Sequence, residues 1–177
     1  MTRLTKIVAF MFLLTAVAAN VVHAQVKWHT IEEAEALSRK SPRKIFIKVY
    51  TNWCGWCKEL DKTTFADPNI EKYLNENFYP VLLNAEKKEN ITFNGKTYKF
   101  VADPNGGYNE LAAYFLKNQM AYPTLVFLDE NFNLIQGISG YRKPAQFEMI
   151  MTYFGENYHK SMPWAKYEKQ YTPLSFK

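Results

Sequence analysis

Cys54 and Cys57 are the only cysteines in the chain of 177 residues, and two residues separate them within Trp53-Cys54-Gly55-Trp56-Cys57. Two thiols at this spacing can close into a reversible disulfide, so the pair can pass two electrons to and from another disulfide without a metal or cofactor. The thiolate is the reacting form, and a cysteine at a helix N-terminus ionises more readily because unpaired backbone N–H groups and the helix dipole favour negative charge. An inert staple explains the pair poorly, because cross-linking such a short loop constrains the unfolded chain little. Cys54 is the candidate nucleophile. Cys57, one turn further on and expected to be more buried, is the candidate resolving thiol.

The neighbouring elements fit that role. Ile45 to Tyr50 is an apolar run that reads as a central strand, Thr51-Asn52-Trp53 as a turn, and a helix is predicted from Cys54 toward Phe65. Upstream, Thr30 and Glu33 form a capping-box pattern that opens a helix over Ile31 to Arg39. Downstream, Asp67-Pro68 restarts a helix carrying Ile70, Tyr73 and Leu74, and Phe78 to Asn84 reads as the next strand. Asn94-Gly95 between Ile91–Phe93 and Lys96–Val101 is a hairpin signal. A loop at 103–107 leads to a helix from Tyr108 to Asn118. Strands at Thr124–Leu128 and Leu134–Ser139 and a helix at Pro144–Phe154 complete the core. The tail from Gly155 is polar and aromatic, with a helical turn expected at Pro163-Trp164. This order predicts an α/β fold with a central mixed sheet and helices on both faces, its β-α-β part a parallel pair with a right-handed crossover.

The first residues read as an export signal. Arg3 and Lys6 precede a mostly apolar stretch from Ile7 to Val22, and Val22-His23-Ala24 offers a cleavage site before Gln25. No cysteine follows that stretch, which argues against a lipid anchor. The expectation is a cleaved signal over 1–24 and one periplasmic domain over 25–177, with its core at about 44–155 and a C-terminal extension over 156–177. Removing Arg3 and Lys6 lowers the formal net charge by two from +5. The remaining charges are mixed along the chain, which speaks against nucleic-acid binding. A structural zinc site needs about four ligands, and His29 and His159 are the only histidines beyond the signal. No metal and no cofactor is expected, and covalent haem attachment is disfavoured because residue 58 is lysine.

From about Lys44 to Gly155 the chain resembles the thioredoxin superfamily. The residues that carry the resemblance are Trp53-Cys54-Gly55-Trp56-Cys57-Lys58 after a strand, Tyr122-Pro123-Thr124 opening a later strand, and Gly140 after the last strand. Within it, the chain is most similar to exported proteins of Gram-negative bacteria with a W-C-G-W-C-K motif, which carry an insertion before the helix preceding the family's cis-proline. Pro123 follows Cys57 by 66 residues, and the hairpin at 91–101 absorbs the excess.

The resemblance implies thiol–disulfide exchange with exported proteins, in a monomer that draws electrons from a membrane-embedded donor. It implies a cis bond before Pro123 beside Cys54, with the Tyr122 backbone free to pair with an extended substrate and no proline N–H near the sulfur. Trp53, Gly55 and Trp56 complete the expected substrate surface, with Trp56 exposed and Trp53 packed on the sheet. The Gly55-Trp56 dipeptide resembles reducing members more than the oxidising Pro-His type. The competing reading is a binding module that captures unfolded exported chains on its aromatic surface. Lys48, six residues before Cys54, departs from the superfamily, which often has a buried acid there. Its stem is expected to pack while its ammonium reaches water.

Overall fold

A computed structural model of the chain describes residues 25–104 and 106–174; the export-signal segment lies outside them. The helices are α1 (Ile31–Lys40), α2 (Gly55–Thr63), α3 (Pro68–Asn77), α4 (Glu110–Leu116), α5 (Pro144–Gly155) and α6 (Trp164–Gln170). The main sheet contains β1 (Lys44–Tyr50), β2 (Phe78–Asn84), β7 (Thr124–Leu128) and β8 (Leu134–Ser139) in the order β2-β1-β7-β8. β1 pairs in parallel with β2 and antiparallel with β7, and β7 pairs antiparallel with β8. This is the mixed sheet expected from the sequence.

Local chemistry sets the boundaries. Both bonds of the Thr30–Glu33 capping box form at α1. Asp67 accepts from the amides of Asn69 and Ile70 at the start of α3, with Pro68 in its first turn. Strand alternation then sorts the core. Ile45, Ile47 and Val49 face a layer with α1 and α4, while Phe46 faces the opposite layer with α2, α3 and α5.

The insertion departs from the expected hairpin. β3 (Ile91–Phe93) pairs with β4 (Lys96–Tyr98) around Asn94-Gly95, both at positive φ, but β4 stops at Tyr98. The Lys99 amide donates to the Glu110 carboxylate, and the Lys99 carbonyl accepts from the Glu110 amide. The chain then leaves the hairpin, and β5 (Phe100–Val101) pairs with β6 (Tyr108–Asn109). The following helix therefore starts at Glu110 rather than Tyr108, capped by the side chain of buried Asn109. Gly107 is required at this crossing: its φ is +105°, and a Cβ there would lie 2.3 Å from the Val101 carbonyl oxygen.

The tail is more ordered than the expected single turn. A 3₁₀ turn (Tyr158–Lys160) and α6 dock on α5. Tyr167 is buried with its hydroxyl 2.7 Å from Thr152 Oγ1, and the Tyr153 hydroxyl donates to the Met162 carbonyl. The tail's aromatic residues thus bury apolar surface on the domain and supply hydrogen bonds to its polar atoms.

Two tyrosines that donate to carboxylates, Tyr73 to Glu156 and Tyr171 to Glu148, set an alkaline limit. Burial, then the hydrogen bond to Glu156, raises the Tyr73 phenol well above its ordinary value of 10; burial and Glu148 do the same to Tyr171. The unfolded chain releases these protons near pH 10 while the folded chain keeps them, so the folded state binds more protons there and stability falls as pH rises. The thermal midpoint should drop between about pH 9 and about pH 11, and the drop should be shallower in Tyr73→Phe. Equal slopes for the two proteins would contradict this assignment.

Candidate active site

The parallel β1–β2 pair ends at Tyr50 and Asn84, and the chain leaves β1 through a turn directly into α2. Cys54 is the N-cap of α2, with its amide donating to the Thr51 carbonyl at 3.2 Å. Its sulfur accepts the Cys57 N–H at 3.1 Å. Once reduced, the Cys54 sulfur thus faces a fixed donor and the positive end of the helix, and both favour the thiolate. The two cysteines are joined as a disulfide, with Cα atoms 5.3 Å apart. Cys54 is 5 % exposed and Cys57 2 %.

Val49 pairs with Thr124, which brings Tyr122 and Pro123 to the end of β1 from which the cysteine turn departs. The Tyr122–Pro123 bond is cis, and the Pro123 carbonyl accepts the Gly140 N–H at 2.7 Å. Pro123 is buried and Tyr122 half-buried. The structure therefore gathers Trp53, Cys54, Gly55, Trp56, Cys57, Tyr122 and Pro123 at one end of the sheet.

Trp53 does not pack on the sheet as expected. It is 67 % exposed and Trp56 is 63 % exposed. The Trp53 indole N–H donates to Glu86 Oε1 at 2.8 Å, and the ring meets Tyr122 edge-on at 5.8 Å. A polar anchor just beyond the end of β2 thus holds the ring outward. Trp56 lies beside Tyr141, ring centroids 5.5 Å apart. The two tryptophans flank the nearly covered cysteine in sequence, Trp53 against Tyr122 and Trp56 against Tyr141.

Lys48 also differs from expectation. Its side chain is 3 % exposed and its Nζ donates to Asp61 Oδ1 at 2.5 Å, so the ammonium is paired beneath α2 instead of reaching water. Alternation along β1 explains this: Lys48 shares the face of Phe46, which α2 covers, and Asp61 lies one turn beyond Cys57 on α2. Tyr50 and Phe65 rings flank the ammonium at 5.1 and 6.0 Å. Burial lowers the Lys48 pKa, and the Asp61 bond and charge offset part of that fall. The charged lysine therefore costs stability below its folded pKa, a cost relieved as pH rises toward 10.5.

Asp61 was not singled out in the sequence, though its i+4 spacing from Cys57 placed it on the same helical face. Removing Asp61 should hurt more than removing Lys48. Asp61→Asn leaves a buried ammonium without its counter-charge and should cost about 1–3 kcal/mol, below the full cost for a buried pair because Asp61 is half exposed. Lys48→Met keeps the packing and should be close to neutral. Urea midpoints that rank the variants the other way would contradict this order.

A larger cavity than the one beside the cysteines lies elsewhere. About 590 Å³ opens among Ile138, Ile150 and Trp164 under the C-terminal segment, and it contains neither cysteine. The cleft beside the cysteines is about 530 Å³ and is lined by Gly55, Trp56, Glu59 and Tyr141. Chemistry, not volume, marks the cysteine pair as the candidate site. Among the described residues, no cluster of three or more His, Cys, Asp or Glu side chains is arranged to hold a metal ion, and no helix is long and apolar enough to cross a membrane.

Comparison with known proteins gives a consistent picture. The thioredoxin-like domain family matches residues 31–155. The "Thiol:disulfide interchange protein DsbD" of Haemophilus influenzae is 31% identical over 122 residues, 67% of this chain and 18% of that protein. Its counterpart in Pectobacterium atrosepticum is 28% identical over 127 residues, 70% of this chain and 18% of the relative. The chain thus spans less than a fifth of these relatives' length. Two solved structures share the fold: a thioredoxin-fold protein from Helicobacter pylori (TM-score 0.56, 17% identity, 84% of this chain and 86% of that one) and a DsbH oxidoreductase (TM-score 0.55, 16% identity, 77% and 89%).

Proposed function

Because the chain belongs to the thioredoxin-like domain family, we propose that it is a periplasmic thiol–disulfide oxidoreductase that reduces disulfides in exported proteins. The observation that carries this reading is Cys54 at the N-cap of α2, its sulfur within hydrogen-bond distance of the Cys57 amide, in a segment that also carries two exposed tryptophans. The relatives named for thiol:disulfide interchange support the reaction class. The export-like first 24 residues support the compartment.

The reaction follows from the geometry. The Cys54 thiolate attacks one sulfur of a substrate disulfide, the substrate S–S bond breaks, and the second substrate sulfur leaves as a thiolate that takes a proton from solvent. A mixed disulfide now joins Cys54 to the substrate. Cys57 loses its proton and attacks the Cys54 sulfur, releasing the second substrate thiol and leaving Cys54–Cys57 oxidised. Two electrons pass to the substrate, and a membrane-embedded dithiol donor then restores the pair. Trp53 and Trp56 present ring surfaces to substrate segments around the sulfurs, and the extended backbone near Tyr122 offers main-chain pairing. Pro123 contributes no N–H to compete for the sulfur.

The direct test uses insulin as the protein disulfide and the dithiothreitol-reduced full chain as catalyst. The reading expects insulin reduction well above the dithiothreitol background. A rate indistinguishable from that background would overturn the proposed function and leave only a binding role.

A further inference from the structure

The cleft beside Cys54 has a chemical character that thiol–disulfide exchange does not itself require. Its walls are two aromatic rings and one carboxylate. Trp56 and Tyr141 lie 5.5 Å apart with their planes inclined by 38°. The Tyr141 hydroxyl is 3.0 Å from Thr63 Oγ1, which fixes that ring against α2. Glu59, one turn after Trp56 on the same helix, is exposed, and its carboxylate has no ion pair among the described residues. Gly55 leaves the floor open, with no heavy atom within 4 Å of where a Cβ would stand. The neighbouring cations Lys58, Lys62 and Arg142 do not line the cleft.

Two aromatic rings with an unpaired carboxylate form an attractive setting for a cation. Ring faces attract ammonium and guanidinium groups through the quadrupole, and the carboxylate adds a charge-assisted hydrogen bond. Gly55 and Trp56 follow the nucleophile directly, so the cleft adjoins the point at which Cys54 meets a substrate sulfur. We propose that the cleft receives a lysine or arginine side chain adjacent to the target cysteine, and that Glu59 and Tyr141 set this preference. The proposal rests on the oxidoreductase reading above and adds the class of substrate: disulfides flanked by a basic residue.

Two isomeric disulfide peptides test it. One carries arginine next to the disulfide cysteine and glutamate at its far end, and the other exchanges the two, so composition and net charge are equal. Reduction rates with the dithiothreitol-reduced full chain are divided by the rates with dithiothreitol alone, which removes the peptides' intrinsic difference. The native protein should reduce the arginine-adjacent isomer about five- to tenfold faster, the scale of one exposed cation–π and ion-pair contact. In Glu59→Gln the ratio should fall toward one, and in Glu59→Lys it should drop below one. Tyr141→Leu should lower it partway. A native ratio near one, or a ratio unchanged in both Glu59 variants, overturns the basic-residue cleft while the exchange reading stands. Failure of the native protein to reduce either isomer would overturn the exchange reading itself.

Discussion

Cys54→Ser is expected to lower protein-disulfide reduction by about a thousandfold or more, because a serine hydroxyl stays protonated near pH 7 and makes a poor nucleophile at a sulfur centre. The fold should survive, since the oxygen can still accept the Cys57 N–H at the N-cap of α2. Cys57→Ala should behave differently. It keeps the first attack but cannot resolve it, so a mixed disulfide between Cys54 and the substrate should accumulate and persist on a non-reducing gel. The asymmetry between the two variants is the informative result. A Cys57→Ala protein that traps nothing, or a Cys54→Ser protein that traps as much, would assign the nucleophile wrongly.

Phe46→Ala should produce the largest loss of stability, about 3–5 kcal/mol. Phe46 is fully buried at the centre of β1, and its ring meets Trp28, Phe65, Phe78, Phe127 and Phe147. Those partners come from the N-terminal segment, the turn after α2, two neighbouring strands and α5, so none can collapse into the vacancy without moving an element. A domain of this size has only about 5–15 kcal/mol in total. The urea midpoint should fall strongly with little change in slope. Leu37→Ala on α1, where the side chain is 36 % exposed, should cost less, about 1–2 kcal/mol. Comparable losses for the two would mean that the core is not centred on Phe46.

Much of this was legible in the chain because its signals are local. Thr30 and Glu33 close their capping box with atoms three residues apart, Pro68 starts a helix by its own fixed φ, and Asn94-Gly95 turns the hairpin through its own positive φ values. The apolar run before Cys54 placed the strand and the turn that hold the cysteine at a helix start. What escaped the sequence depends on partners distant in the chain. Phe100 and Val101 look like more of the hairpin, yet their ladder is with Tyr108 and Asn109, which only the bend at Gly107 brings alongside. Trp53 looks like a packing residue until Glu86, 33 positions away, is seen to hold its indole. Lys48 looks like a snorkelling lysine until Asp61 closes over it. The tail's aromatic residues gave no periodicity, because their order comes from docking on α5 rather than from an amphipathic repeat.

The central claim, that Cys54 and Cys57 form a reversible reducing couple, is tested most directly by equilibrating the full chain with glutathione buffers of graded composition and measuring the oxidised fraction. The account predicts a single two-electron transition at a potential near that of thioredoxin, about −270 mV. A transition near −120 mV would contradict the reducing direction, and a pair that never exchanges with glutathione would contradict the claim itself.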